Sequence, residues 1–240
     1  MIFILQKRRQ ITVWKNNKKL VLAAIISFVL CIATSLIFLF VGNVIKKKNA
    51  TEAASSSMGN YKMGKPEIIK EFLTPNEFSR PQDKLDKVNA IVIHYTANPG
   101  ASAEGNRNYF ENLKEQKPDS QATYASSHFI VGLEGEIIQC IPLKEMSYAS
   151  NERNVDTISI ECCHPDETGK FTDETYDSLI TLVSWLMTRY DLQKSDIIRH
   201  YDVTGKICPK YYVDNEKAWK KLKEDVIANI KEKGKQKESR

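Results

Sequence analysis

The chain has 240 residues, 42% hydrophobic and 27% charged, with three Trp, ten Tyr and nine Phe. That composition excludes a disordered or low-complexity polymer and leaves room for one or two domains with a core. Thirty-five Lys/Arg against 30 Asp/Glu give a net charge of +5. Residues 1–48 hold nine of the basic groups and no acid, which leaves residues 49–240 with 26 basic against 30 acidic groups. A body this acidic is a poor phosphate binder, so no nucleic-acid partner is expected.

Residues 1–19 read as a short basic cytoplasmic tail. Leu20 to Ile45 is a run of 26 residues without a charge, ~39 Å if helical, enough to cross a ~30 Å hydrocarbon layer with some tilt. A cleaved signal peptide has a shorter apolar stretch and a small-residue cleavage site, whereas Lys46, Lys47 and Lys48 follow here. The expectation is a retained signal anchor, one transmembrane helix over 20–45. Six basic residues before the span against three directly after it place the N-terminus in the cytoplasm and the remainder outside, a single-pass protein of the cell membrane. Residues 46–70, with Ala53, Ala54 and Ser55 to Ser57, read as a flexible tether. Residues 71–230 are one domain of ordinary size, expected to be monomeric, and 231–240 a charged, fraying tail.

Within that domain, Val88 to Ile93 is a short β-branched run, a buried strand ending at His94. Glu104 to Lys117 is a helix with Tyr109, Phe110 and Leu113 on its inner face. His128–Leu133 and Glu136–Ile141 flank Glu134-Gly135 and predict a hairpin. Thr157 to Cys163 alternates: Ile158, Ile160 and Cys162 face one way, Thr157, Ser159, Glu161 and Cys163 the other. Thr172 caps a long helix with Leu179, Ile180, Val183, Leu186 and Met187 at helical spacing. Asp196 to His200 is a short strand, and Glu216 to Ile230 a closing helix with Trp219, Leu222, Val226 and Ile230 inside. Strands interleaved with helices predict an α/β or α+β arrangement around one sheet.

His94 and His200 each end an apolar strand, and Cys208 lies eight residues beyond the second. Two imidazoles and a thiolate, with a fourth position left to water, is the donor set of a catalytic zinc. The spacing by itself suits ordinary strand-end histidines equally well. Cys162-Cys163-His164 is not read as a metal cluster, because adjacent strand residues point to opposite faces. With Cys31 in the span and Cys208 set aside, three cysteines remain without regular spacing, which argues against a disulfide framework.

Four blocks carry a more specific signal: Ala90 to Gly100, Ser126 to Val131, Ile158 to Glu161, and Arg199 to Val203 continuing through Lys206-Ile207-Cys208-Pro209. Together with Ser79-Arg80-Pro81 ahead of the first, they resemble the zinc-dependent N-acetylmuramoyl-L-alanine amidases of the type-2 family, which includes phage lysozyme-like amidases and peptidoglycan recognition proteins. The resemblance covers about residues 75–225. It implies an α/β fold with a single mixed sheet flanked by helices and a zinc groove on one side. It implies one zinc held by His94, His200 and Cys208, and cleavage of the amide between N-acetylmuramic acid and the L-alanine of peptidoglycan. It implies Glu161 as general base and then acid, and Lys206 as the cation that stabilises the oxyanion. Many members have a Tyr immediately before the His-Phe pair; here that residue is Ser127, which leaves the proton transfer to Glu161. His128 matches a non-ligand histidine with a structural role, and whether Tyr124 returns to the site is left open. The competing reading is a peptidoglycan receptor or sensor without catalysis; retention of all three metal ligands favours the enzyme.

Overall fold

The computed structural model describes residues 60–119 and 121–236. The expected basic tail, membrane anchor and first part of the tether lie outside them; no helix among the described residues is long and apolar enough to cross a membrane. In chain order the elements are β1 (Tyr61–Lys62), β2 (Ile69–Lys70), β3 (Ala90–Tyr95), α1 (Ala103–Asn112), β4 (Phe129–Val131), β5 (Ile137–Gln139), β6 (Thr157–Cys162), α2 (Asp173–Tyr190), β7 (Ile197–Arg199), α3 (His200–Thr204), α4 (Lys210–Asp214), α5 (Glu216–Lys233) and β8 (Lys235–Gln236). Short 3-10 turns lie at Leu113–Glu115, Asn151–Val155 and Lys194–Asp196.

Six strands form one sheet in the order β2-β5-β4-β6-β3-β7. Only the β4–β5 hairpin is antiparallel; β2–β5, β4–β6, β6–β3 and β3–β7 are parallel. This is the mixed sheet flanked by helices that the sequence predicts. The two-residue period of a strand distributes side chains between two cores. Ile91 and Ile93, Phe129 and Val131, and Ile158 and Ile160 join one cluster with Leu179, Val183 and Leu186 of α2 and Trp219 and Leu222 of α5. Ile130 and Ile138 face the other side, with Phe110 of α1 and with Leu73, Phe78 and Leu113. Every one of these sheet residues is at most 5% exposed. Truncating a side chain such as Ile160 to Ala would cost on the order of 2–5 kcal/mol.

The long helices follow their local signals. Thr172 accepts the backbone N–H of Thr175 at 3.0 Å, Asp173 and Glu174 occupy the first turn and Arg189 the last. α1 is capped by Ser102 and buries Ala103, Asn106 and Phe110. Tyr109, expected on its inner face, is 53% exposed. A residue one step from Phe110 is turned by about 100° around the helix, and the buried stripe follows the three-to-four-residue spacing.

The domain boundaries expected at 70 and 231 fall inside ordered structure. Met63, expected in the tether, is buried, and its backbone N–H donates to Thr188 Oγ1 at 3.1 Å. β2 adds to the edge of the sheet beside β5, and the N–H groups of Glu71 and Leu73 continue the pairing onto Gln139 and Cys140 carbonyls. At the other end, α5 runs to Lys233, and β8 pairs antiparallel with β1. Two-residue strands are too short for any period to show in the sequence, so both segments read there as linker.

Candidate metal centre and active-site cleft

β6, β3 and β7 are adjacent and parallel, so their carboxyl ends open at one edge of the sheet, where open α/β sheets place ligands. His94 lies near the end of β3 and Glu161 near the end of β6, directly opposite each other in register. Ile93 and Ile160 before them belong to the core under α2 and α5, so both groups project from the other face, beside α1. His200 is the first residue of α3, immediately after β7, rather than the last residue of a strand.

The chain then doubles back. Gly205 closes α3 with φ +79°, a left-handed conformation that glycine adopts without steric cost. Tyr201 N–H donates to the Cys208 carbonyl at 2.9 Å, which returns Cys208 to the side of His200. Arg199 fixes the whole turn: its buried guanidinium donates to Asp202, Glu216 and the Tyr212 carbonyl, and stacks 5.2 Å from the Trp219 ring. Arg199 stands in the sequence motif, but nothing in its spacing announces this role.

One donor atom from each of His94, His200 and Cys208 lies within 4.8 Å of the other two. Cys208 Sγ is 3.8 Å from His94 Nδ1, and the two imidazole centroids are 4.8 Å apart. All three residues are buried, at 2%, 6% and 2% exposure respectively. Burial, with His200 and Lys206 nearby, holds the His94 pKa well below its usual value, and burial with Lys206 lowers that of His200. Both imidazoles are therefore neutral, the form that ligates a metal. Burial, reinforced by Glu161, pushes the Cys208 thiol up to about 12. A thiolate here needs a cation beside it, and a nitrogen–nitrogen–sulfur set of this size suits zinc, with bonds of ~2.0–2.3 Å.

Glu161 Oε1 is 3.9 Å from His94 Nδ1, while Oε2 is buried without a hydrogen-bond partner among the described residues. Desolvation raises the Glu161 pKa to about 8, against the pull of Lys206. A carboxyl that exchanges its proton near neutrality suits acid–base work. Lys206 lines the same cleft, is exposed, and forms no ion pair among the described residues. The cleft encloses about 400 Å³. The structure thus brings together all five residues singled out in the sequence.

It also resolves the aromatic question. Tyr124 lines the cleft, edge-on to Tyr148 with ring centroids 5.7 Å apart. Tyr148 is held there by Ser126, whose hydroxyl accepts the Tyr148 N–H at 3.0 Å. Ser127 is fully buried and donates to the Phe129 carbonyl at 2.7 Å, away from the cleft. Tyr148 escaped the sequence reading because no local pattern links it to His94 or His200. Cys162 and Cys163 fall into opposite cores, and His164 stacks on Tyr95. Neither cysteine joins a metal-binding group among the described residues, and all four described cysteines are free thiols.

Comparison with known proteins agrees with this arrangement. A family described as N-acetylmuramoyl-L-alanine amidase matches residues 84–211. The chain is 35% identical over 164 residues to the N-acetylmuramoyl-L-alanine amidase CwlL of Bacillus licheniformis, covering 62% of this chain and 43% of that protein. It is 32% identical over 180 residues to BlyA of Bacillus subtilis, covering 66% and 46%. The chain thus spans less than half the length of these two relatives. The catalytic domain of XlyA of Bacillus subtilis superposes with a TM-score of 0.55 at 25% identity, covering 67% of this chain and 99% of that domain.

Proposed function

The chain belongs to the N-acetylmuramoyl-L-alanine amidase family, and on that premise we propose that it is a zinc-dependent peptidoglycan hydrolase. The bond cleaved is the amide between N-acetylmuramic acid and the L-alanine of the stem peptide. The observation that carries this reading is the burial of His94, His200 and Cys208 within 4.8 Å of one another, in the cleft that also holds Glu161 and Lys206.

His94, His200 and Cys208 would hold the ion, which supplies Lewis acidity for activating water and polarising the scissile carbonyl. Glu161, opposite His94 on the neighbouring strand, takes a proton from the attacking water and delivers it to the departing amine. Lys206, on the cleft wall, places a positive charge where the carbonyl oxygen becomes anionic. Tyr124 and Tyr148 form an aromatic wall that orients the substrate. Digestion of purified peptidoglycan, with mass spectrometry of the products, tests the reaction. New free L-alanine amino termini that vanish with chelator and return with zinc are expected; intact glycan–peptide linkages after digestion by folded, zinc-supplemented protein would refute it.

The uncharged run over residues 20–45 supports a single-pass anchor, with residues 1–19 cytoplasmic and the catalytic domain outside the membrane. Protease added to intact, wall-stripped cells should then digest the domain. Full protection in sealed cells, with a control ectodomain cut, would reverse the orientation.

A further inference from the structure

The 3-10 turn Asn151–Val155 delivers the chain into β6, and two adjacent residues at its start meet both histidines of the cleft. Ser150 Oγ lies 3.3 Å from His94 Nε2, and Asn151 Oδ1 lies 3.2 Å from His200 Nε2. A carboxamide oxygen can only accept, so His200 Nε2 carries the ring proton and its Nδ1 keeps a lone pair. The Ser150 hydroxyl can accept in the same way from His94, whose Nδ1 is the nitrogen facing Cys208 Sγ.

The turn itself is secured by other groups. Asn154 Oδ1 accepts the N–H of Ala149 at 3.0 Å and of Ser150 at 2.6 Å. Arg153 donates twice to Asp156, and Thr157 Oγ1 donates to the Arg153 carbonyl. Ser150 is 1% exposed, and Asn151 has φ +52°, a left-handed conformation that asparagine tolerates better than most residues. The turn therefore does not need the Asn151 carboxamide or the Ser150 hydroxyl to hold its shape, yet both side chains are spent on the two imidazoles.

Resting on the zinc reading above, we infer that Ser150 and Asn151 are positioning residues. Their side-chain oxygens fix the tautomer and ring angle of His94 and His200, so that Nδ1 of each is presented to the ion. Acceptors behind a ligating histidine typically contribute roughly 10–100-fold to metal affinity.

The test is zinc affinity of the purified full chain, measured by competition with a chromophoric chelator, beside the melting temperature of the metal-free protein. Asn151→Gly keeps the left-handed backbone and removes the acceptor. It should weaken zinc binding by roughly 10–100-fold while metal-free melting stays near that of the wild type. Asn151→Asp keeps an acceptor and should bind within a few-fold of wild type. Ser150→Ala should weaken binding in the same direction, and as the loss of a single hydroxyl it carries the test alone if Asn151→Gly does not fold. Wild-type affinity in both Asn151→Gly and Ser150→Ala, with zinc lost in Cys208→Ala, would overturn the positioning role and leave the metal site standing. Weak binding that Asn151→Asp fails to restore would assign the effect to the turn instead, and also overturn it. A wild-type chain that binds no zinc would remove the site and this role together.

Discussion

His128 on one hand, and His94 and His200 on the other, show two contrasting settings for a buried histidine. At His128, 0% exposed, both ring nitrogens are consumed by the protein. The Ser159 N–H donates to Nδ1 at 3.1 Å, and Nε2 donates to the Glu145 carbonyl at 3.0 Å, which fixes one neutral tautomer. At His94, Ser150 holds Nε2 while Nδ1 faces the Cys208 thiol and the Glu161 carboxyl. At His200, Asn151 holds Nε2, and one ring nitrogen lies within 4.8 Å of a ring nitrogen of His94 and of the Cys208 sulfur. Burial alone does not separate the two cases. The difference lies in how many hydrogen-bonding positions the fold has already used, and it predicts that saturated groups serve stability while those with a free position serve chemistry.

The sharpest way to break this contrast is Glu161→Gln, which changes a carboxyl with an unpartnered oxygen. Zinc content should persist while kcat falls by ~10²–10⁴-fold, the usual contribution of acid–base catalysis. Near wild-type turnover by the folded, zinc-loaded variant would move the proton transfer to another group, with Tyr124 next in line. Lys206→Ala should also keep zinc, with kcat reduced by ~10²–10³-fold, the range for loss of one oxyanion donor. An effect confined to KM would show that Lys206 binds substrate rather than the transition state.

His128 tests the saturated side. Burial, only partly opposed by the Glu145 carbonyl, lowers its pKa to about 4 from an ordinary 6.5. Because the folded value lies below the unfolded one, the neutral ring's contribution is complete above pH ~6.5 and is lost as pH falls towards ~4. The integrated loss is on the order of 3 kcal/mol. An NMR titration of the imidazole nitrogens should show Nδ1 staying unprotonated well below pH 6; a midpoint near 6.5 would contradict the saturated reading. The smallest effect is expected at Thr172→Ala. Removing this cap, which also donates to the Leu133 carbonyl, should lower stability by ~1 kcal/mol in chemical denaturation. Turnover below the melting transition should be unaffected, and a matching loss of kcat in fully folded protein would count against the division.

Where sequence reasoning succeeded, a local physical rule was at work. The alternation over Thr157–Cys163 placed Glu161 opposite Ile158 and Ile160 before any partner strand was known, and the structure keeps that phase. The Thr172 cap gave α2 its true start, and the apolar spacing after it gave its buried face. The convergence of His94, His200 and Cys208 was legible only through the motif blocks, since residues 114 positions apart meet through strand order, which no local period encodes. Ser150 and Asn151 were invisible as supports for the same reason: each acts through a hydrogen bond across the fold. The ordered run before β3 was misread because its pairing with β5 is made by the backbone, and Ile69 and Lys70 are both exposed.

The β1–β8 ribbon bears on how the chain could be re-engineered. Tyr61 is paired with Gln236 and Lys62 with Lys235, in antiparallel register, so the first strand and the last leave the domain side by side. A short loop from Gln236 to Tyr61 would therefore close the polypeptide into a ring without crossing the sheet. New ends could then be opened at the tip of the β4–β5 hairpin, where Gly135 already turns the chain with φ +86°. Such a circular permutant leaves β3, β6 and β7, the three strands that carry the cleft, uncut, but moves β3 from before β6 and β7 in the chain to after them.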